Sequence, residues 1–154
     1  MLENRQFQYE VFRQVRDRID PRLVVELGHT TTPIGMDCHH DIDFKMPAKF
    51  MARFEDINLT EGFYTLGLSV WSFLYSVDPI ANLRKMRDLL AVGGHILLIT
   101  RTHGTAFHNI DAPGETLWVT TVEAVKHFPD LLGMKQSFFA QNGNAAVAVL
   151  MEKL

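Results

Sequence analysis

The polar residues that follow the apolar run Leu23–Val25 are the first group in this sequence that could bind a ligand. Gly28 would let a ligand approach the backbone, whose N–H groups can meet a carboxylate. Glu26 can accept hydrogen bonds from an ammonium group. The pattern is typical of a ligand-binding turn after a strand. The alternative is a strand-end glutamate that pairs with a nearby arginine.

A second group lies in the segment from residue 101 to residue 118, and long loops of this kind are usually functional or disordered. His103 or His108 could act as a general base toward a hydroxyl or an amine, with Asp111 orienting the imidazole. A lid or an interface loop is an equally good interpretation of this segment.

A third group, made of His39, His40, Asp41 and Asp43, combines imidazole and carboxylate side chains, which are good metal ligands. Adjacent histidines on a strand point to opposite faces, however, and no second pair has a matching spacing. We therefore expect polar loop residues here and no metal site.

The composition indicates one globular domain over residues 1–154. Hydrophobic residues make up 47% of the 154 residues and charged residues 21%. The formal net charge of -3 provides no basic field for nucleic acid, and a single cysteine, Cys38, cannot form an internal disulfide. The first twenty residues contain no apolar run, so we expect neither a signal peptide nor a membrane span, and a cytoplasmic protein.

The elements that must position these groups follow from hydrophobic spacing. Phe7, Val11, Val15 and Ile19 stand four apart, which predicts an amphipathic helix over residues 1–20. Strands are predicted over Arg22–Leu27 and Phe63–Val70, with Ile34–Asp37 as a further short candidate.

The clearest unit runs from Asp78 to Thr100. Asp78 and Pro79 predict a helix start, and Gly93-Gly94 predicts its end. The expected buried positions of this helix are Ile80, Leu83, Met86 or Arg87, and Leu90. The apolar run His95–Thr100 then predicts a strand in the middle of a parallel sheet.

The last third of the sequence predicts a helix and a hairpin. Thr121–His127 reads as a short helix that stops near Pro129. Met134–Ala140 and Ala145–Met151 read as two strands, because Asn-Gly between two apolar runs favours a tight turn.

These features together resemble the class I S-adenosylmethionine-dependent methyltransferases. The resemblance rests on residues 24–30 (VVELGHT), 68–79 (LSVWSFLYSVDP) and 89–99 (LLAVGGHILLI), and it extends over Arg22–Leu154. It implies a three-layer α/β fold with a Rossmann-like, mostly parallel sheet that ends in an antiparallel hairpin. Too few residues separate Gly28 from Asp37 for the usual helix, so the fold is trimmed at its first helix connection.

The resemblance also implies a cofactor, S-adenosylmethionine, and a small-molecule methyl acceptor. In that interpretation Glu26, Gly28 and Thr30 hold the methionine part and Ser69 borders the sulfonium. The ribose carboxylate would be Asp37, for which Asp41 and Asp43 compete, and the adenine would meet Glu55 or Asp56. The acceptor would meet the loop that carries His103, His108 and Asp111.

Departures from the family pattern keep a second function open. His29, Thr30, Thr31 and Thr32 stand where the family has further glycines. The alternative is therefore a non-catalytic protein of this fold that serves as a binding or assembly module, with a homodimer as one expected assembly.

Overall fold

The computed structural model describes residues 1–27, 40–42, 54–76, 78–102 and 119–154. Within these ranges no helix is long and apolar enough to cross a membrane. The helices are α1 (Asn4–Val15), α2 (Pro79–Leu89), α3 (Val122–Lys126) and α4 (Phe128–Leu132). The strands are β1 (Val24–Leu27), β2 (His40–Ile42), β3 (Tyr64–Val70), β4 (Leu90–Arg101), β5 (Lys135–Asn142) and β6 (Ala146–Glu152).

The six strands form one sheet in the order β2-β1-β3-β4-β6-β5. The first four strands run parallel to one another, while β6 is antiparallel to both β4 and β5. This confirms the predicted α/β fold with a mostly parallel sheet and a C-terminal antiparallel hairpin.

Helices cover both faces of the sheet, so the molecule has three layers. One apolar cluster joins α1 to the sheet through Phe7, Val11, Phe12, Val15, Val24, Leu66, Leu68, Val70, Leu97 and Ile99, with three residues of β6. The other cluster joins α2, α3 and α4 to the opposite face through Leu83, Met86, Val125, Phe128, Ile96, Leu98 and Val149, among others. Alternate residues of each central strand therefore face α1 or α2.

The helix start at Asp78 is confirmed, and its end is corrected. The Asp78 carboxylate accepts a hydrogen bond from the Ala81 N–H at 3.0 Å, and Pro79 occupies the first turn. The helix ends at Leu89, four residues before Gly93, and Gly93-Gly94 lies within β4.

Neighbouring strands explain why the two glycines belong to β4. Lys153 accepts a hydrogen bond from the Gly93 N–H at 2.7 Å and donates one to the Gly94 carbonyl at 2.8 Å. A side chain at Gly94 would lie 2.9 Å from the Ala91 carbonyl oxygen, so the close approach requires glycine there. Leu90, expected on the helix, pairs instead with Tyr64 of β3.

Other boundaries also differ from the sequence-based expectations. The N-terminal helix ends at Val15, before Ile19, and a short turn of 3-10 helix follows. The predicted helix after Thr121 is confirmed as α3, which ends three residues before Pro129, and Pro129 itself stands in the first turn of a further short helix, α4. The candidate strand Ile34–Asp37 lies outside the described residues, and the strand beside β1 is His40–Ile42.

Gly67 sets the distance between α2 and the sheet. A Cβ at this position would lie 2.5 Å from Met86 Cγ, and Met86 is fully buried. Gly67→Ala should therefore overpack this contact and lower the free energy of unfolding by about 1–3 kcal/mol, measured by urea denaturation. In a protein that already carries Met86→Ala, Gly67→Ala should lower the free energy of unfolding by less than it does in the wild-type protein, because the contact is gone. Strictly additive effects would contradict the contact.

His95 should make stability depend on pH. It is 9% exposed, and its Nε2 lies 3.7 Å from Glu152 Oε2. Burial lowers the pKa of His95 from its ordinary value of 6.5, although the charge of Glu152 opposes this shift. The unfolded chain, in which the pKa of His95 is near 6.5, therefore binds a proton more readily than the folded chain does. The contribution of neutral His95 to the free energy of unfolding is complete above pH 6.5 and is lost as the pH falls below 6.5 towards the lowered pKa.

The check is urea denaturation over a series of pH values. His95→Gln should flatten the dependence in this window, whereas Glu152→Gln should steepen it because it removes the opposing charge. An unchanged profile in both variants would contradict the assignment.

Candidate functional site

The carboxyl ends of β1, β3 and β4 lie side by side, as parallel pairing requires. In open α/β sheets, ligands bind at this edge. Two residues predicted from the sequence lie here within the described part, Glu26 on β1 and Ser69 on β3. Both are 1% exposed, and Ser69 pairs with Leu27, the neighbour of Glu26.

Glu26 faces the α1 side of the sheet, since it is in register with Leu68, which packs in the α1 cluster. A carboxylate is almost never fully buried unless polar groups compensate the loss of water. Its position one residue before the end of β1 places this carboxyl group near the ligand-binding edge. Its role as a ligand contact stays a prediction.

Ser69 faces the opposite side and begins a set of hydroxyl contacts. Its Oγ lies 3.2 Å from Ser72 Oγ, and the Ser76 hydroxyl donates to the Ser72 carbonyl at 3.3 Å. These contacts order the turn that leads from β3 towards α2. The serines bring neutral hydrogen-bonding groups to the end of the sheet.

Trp71 has a left-handed backbone, with φ of 61°, directly after β3. Its N–H donates to the Ile99 carbonyl at 2.8 Å, and its indole Nε1 donates to Gln8 Oε1 at 2.7 Å. Gln8, on α1, is only 6% exposed. Strand alternation would direct this side chain to the α2 face with Ser69, so the left-handed turn moves the indole to the α1 face.

Thr100 is a candidate that sequence reasoning missed, because it reads as the last residue of an apolar strand. It is fully buried near the carboxyl end of β4 and shares the α2 face with Ile96 and Leu98. Its Oγ1 has no hydrogen-bond partner among the described residues. Buried hydroxyls without a partner are uncommon and costly, and no sequence pattern marks this one.

A cavity of about 400 Å³ opens on the same face and at the same end of the sheet. It lies between the first turn of α2 and the residues that lead into α3. Its described lining is Phe73, Asp78, Pro79, Ile80, Val119, Thr120 and Phe128. Thr120 forms an isolated parallel bridge with Thr102, the residue after β4, which ties this side of the cavity to the end of that strand.

Glu55 and Asp56 are exposed beside α2. They follow Phe54, whose carbonyl accepts a hydrogen bond from Lys85 Nζ, as does the Ile57 carbonyl at 2.5 Å. Burial lowers the pKa of Lys85, and the negative charges of Glu55 and Asp56 oppose this shift. Glu55 and Asp56 thus lie near the charge of Lys85. A contact between either of them and an adenine ring stays a prediction.

The other predicted site residues lie outside the described residues. These are Gly28, Thr30, Asp37, His103, His108 and Asp111. Among the residues that are described, no group of three or more His, Cys, Asp or Glu residues could hold a metal ion.

No protein-family model matches this sequence, and no curated protein sequence is significantly similar to it. Solved structures do match. One is a SAM-dependent methyltransferase from Thermotoga maritima, described as a possible histamine N-methyltransferase, with a TM-score of 0.56 and 12% identity. Another is an S-adenosylmethionine-dependent methyltransferase from Mesorhizobium loti, with a TM-score of 0.55 and 13% identity. The cyclase SpnF matches with a TM-score of 0.52 and 10% identity.

The chain has the fold of the class I S-adenosylmethionine-dependent methyltransferases. The matches cover 67%, 66% and 66% of this chain and 62%, 67% and 54% of the three proteins, respectively. The chain thus spans little more than half to two thirds of their length. At such low identity the likeness establishes the fold, and the ligand must be argued from the site.

The contribution of the Gln8–Trp71 hydrogen bond to the free energy of unfolding should be measurable. Gln8→Leu removes the acceptor and Trp71→Phe the donor, and each should destabilise the protein by about 1 kcal/mol or more because a buried partner is left unpaired. The double variant should cost less than the sum of the two, by thermal or urea denaturation. Gln14→Leu, the same change at an exposed position on the same helix, serves as the control. Additive effects of Gln8→Leu and Trp71→Phe would refute the coupling.

Proposed function

We propose that this protein binds S-adenosylmethionine at the carboxyl ends of β1 and β3 and transfers its methyl group to a small-molecule acceptor. The observation that carries the proposal is the buried carboxylate of Glu26 at the end of the first strand of a methyltransferase fold. A carboxylate there fits the ammonium group of the methionine part. The Ser69 hydroxyl, one strand away, fits a neighbouring polar atom.

The ribose contact is proposed for a carboxylate after the second strand, because an aspartate can accept both ribose hydroxyls. The sequence favoured Asp37, with Asp41 and Asp43 as competitors. The strand that pairs with β1 on the side away from β3 is His40–Ile42, and Asp43 is the next residue along the chain. This connectivity moves the proposal towards Asp43, since the ligand-binding edge lies at the carboxyl ends of the strands.

The chemistry asked of the chain is mostly positioning. When bound, S-adenosylmethionine supplies an electrophilic methyl carbon: the acceptor forms the new bond, the carbon–sulfur bond breaks and its electron pair stays on sulfur. In-line displacement depends on the orientation of the two reactants, for which buried, preorganised groups such as Glu26 and Ser69 are suited. His103 or His108, oriented by Asp111, is proposed to take the proton that the acceptor loses.

Calorimetric titration with S-adenosylhomocysteine tests the proposal. Glu26→Gln keeps the shape of the side chain and removes its charge, so the affinity should fall about tenfold or more, as expected for a charge-assisted hydrogen bond. Asp43→Asn and Asp37→Asn, compared side by side, should identify the ribose carboxylate by the larger loss.

Glu61→Gln is the matched control, because this glutamate is exposed just before the start of β3, at the opposite edge of the sheet. It should leave the affinity unchanged. Absence of binding to the wild-type protein at millimolar ligand would sink the proposal.

A second candidate function is a protein of this fold that does not transfer methyl groups. It is favoured by the match to SpnF, which is described as a cyclase. Tight binding of S-adenosylhomocysteine without consumption of S-adenosylmethionine, measured over a panel of acceptors, would favour this second function.

A further inference from the structure

A second cavity lies beside α2, where this helix faces the chain that leads into β3. One wall is α2 and the other is the chain at residues 57–61. The Lys85 ammonium group donates to the Ile57 carbonyl at 2.5 Å, and the Gly62 N–H donates to the Asp88 carbonyl at 3.0 Å. The two walls are therefore joined at two points, and a space of about 350 Å³ remains beside them.

The base of this cavity is apolar. Ile57 and Leu89 form it, because both line the cavity and are only 8% and 2% exposed. Leu59 is partly buried against the same core cluster, and Ala81 adds a small side chain on the α2 wall. A branched alkyl group of a few carbon atoms would bury apolar surface here.

Two opposite charges accompany this apolar base. Arg84 on α2 and Glu61 on the other wall are exposed, and neither side chain forms a hydrogen bond or an ion pair with another described residue. The other charged groups of the lining are engaged, since Lys85 donates to two backbone carbonyls and Asp88 pairs with Arg87 at 3.0 Å. A guanidinium group matches a carboxylate, and a carboxylate matches an ammonium group. The two walls thus present groups that suit both ends of a zwitterion.

We propose that this cavity binds a small zwitterion with an apolar side chain, of the chemical class of the apolar α-amino acids. Arg84 binds its carboxylate, Glu61 binds its ammonium group, and the side chain lies on the apolar base. A simple cation or a simple anion would satisfy only one of the two charges and meet repulsion from the other. The inference goes beyond the proposed function and does not depend on it, because Glu26 and Ser69 are not part of this cavity.

Leucine, 3-methylbutylamine and 4-methylpentanoate form a matched set of probes. They share one branched alkyl group, while the amine lacks the carboxylate of leucine and the acid lacks its ammonium group. Ligand-observed NMR at neutral pH and low ionic strength measures the three affinities. The wild-type protein should prefer leucine to each of the other two by about twofold to fivefold, the range of one exposed ion pair.

Arg84→Gln and Glu61→Gln should each abolish one preference and keep the other. The Arg84→Gln protein should no longer prefer leucine to 3-methylbutylamine, and the Glu61→Gln protein should no longer prefer leucine to 4-methylpentanoate. Neither variant should lower the melting temperature, because both side chains are exposed and have no partner in the described part of the chain. Arg5→Gln, at an exposed position on α1, is the matched control and should keep both preferences.

Glu26→Gln separates this cavity from the proposed S-adenosylmethionine site, where a carboxylate also fits an ammonium group. It should weaken the binding of S-adenosylhomocysteine and keep both preferences for leucine. A preference that is lost in Glu26→Gln would overturn the inference, because leucine would then bind at the carboxyl ends of the strands.

Equal binding of the three probes to the wild-type protein would also overturn it, as would either preference surviving in the variant that should abolish it. Titration with S-adenosylhomocysteine in the same samples keeps the proposed function separate. If that ligand fails to bind while the leucine preferences behave as expected, the proposed function falls and the zwitterion site stands.

Discussion

The parallel pairing of β3 with β4, covered by helices on both faces, is the constraint on which the rest of the structure depends. Because these strands are buried on both sides, every side chain of their central stretch must fit against α1 or against α2. Gly67 satisfies this on the α2 face by leaving room for Met86. The same pairing brings the carboxyl ends of the strands together, so polar residues there share one edge without any further device.

Buried polar side chains occur near the carboxyl ends of these strands, although the rest of their buried surface is apolar. Glu26, Ser69 and Thr100 are all at most 1% exposed, although a carboxylate and two hydroxyls gain nothing from burial as such. Each costs stability unless a polar group meets it, and local conflicts with the folding rules are expected at functional sites. The opposite edge contains His95, whose burial is accompanied by Glu152 on the adjacent strand. Buried polar groups alone therefore do not identify the ligand edge; strand direction does.

Local signals predicted the elements whose ends are decided locally. Asp78 and Pro79 begin α2 because capping involves only the first turn, and the hairpin forms around Gly143, which has φ of 55°. The helix end predicted from Gly93-Gly94 was wrong because the conformation of these two residues is decided by a distant part of the chain. A glycine pair is typical of a helix end, yet hydrogen bonds to Lys153, far along the chain, extend β4 through it. The sequence contains no local trace of that contact.

The candidate site likewise contains features that local sequence predicts and features that depend on distant contacts. The location of Glu26 and Ser69 near strand ends was predictable, because a position at the end of an apolar run can be read from the sequence, while their contact with a ligand stays a prediction. The direction of the Trp71 ring was not, since it depends on Gln8 in a helix that packs from the other face. A contact made by the N-terminal helix thus accompanies the left-handed turn at the carboxyl end of β3, and no pattern within that strand could indicate it, because the partner lies more than sixty residues earlier in the chain.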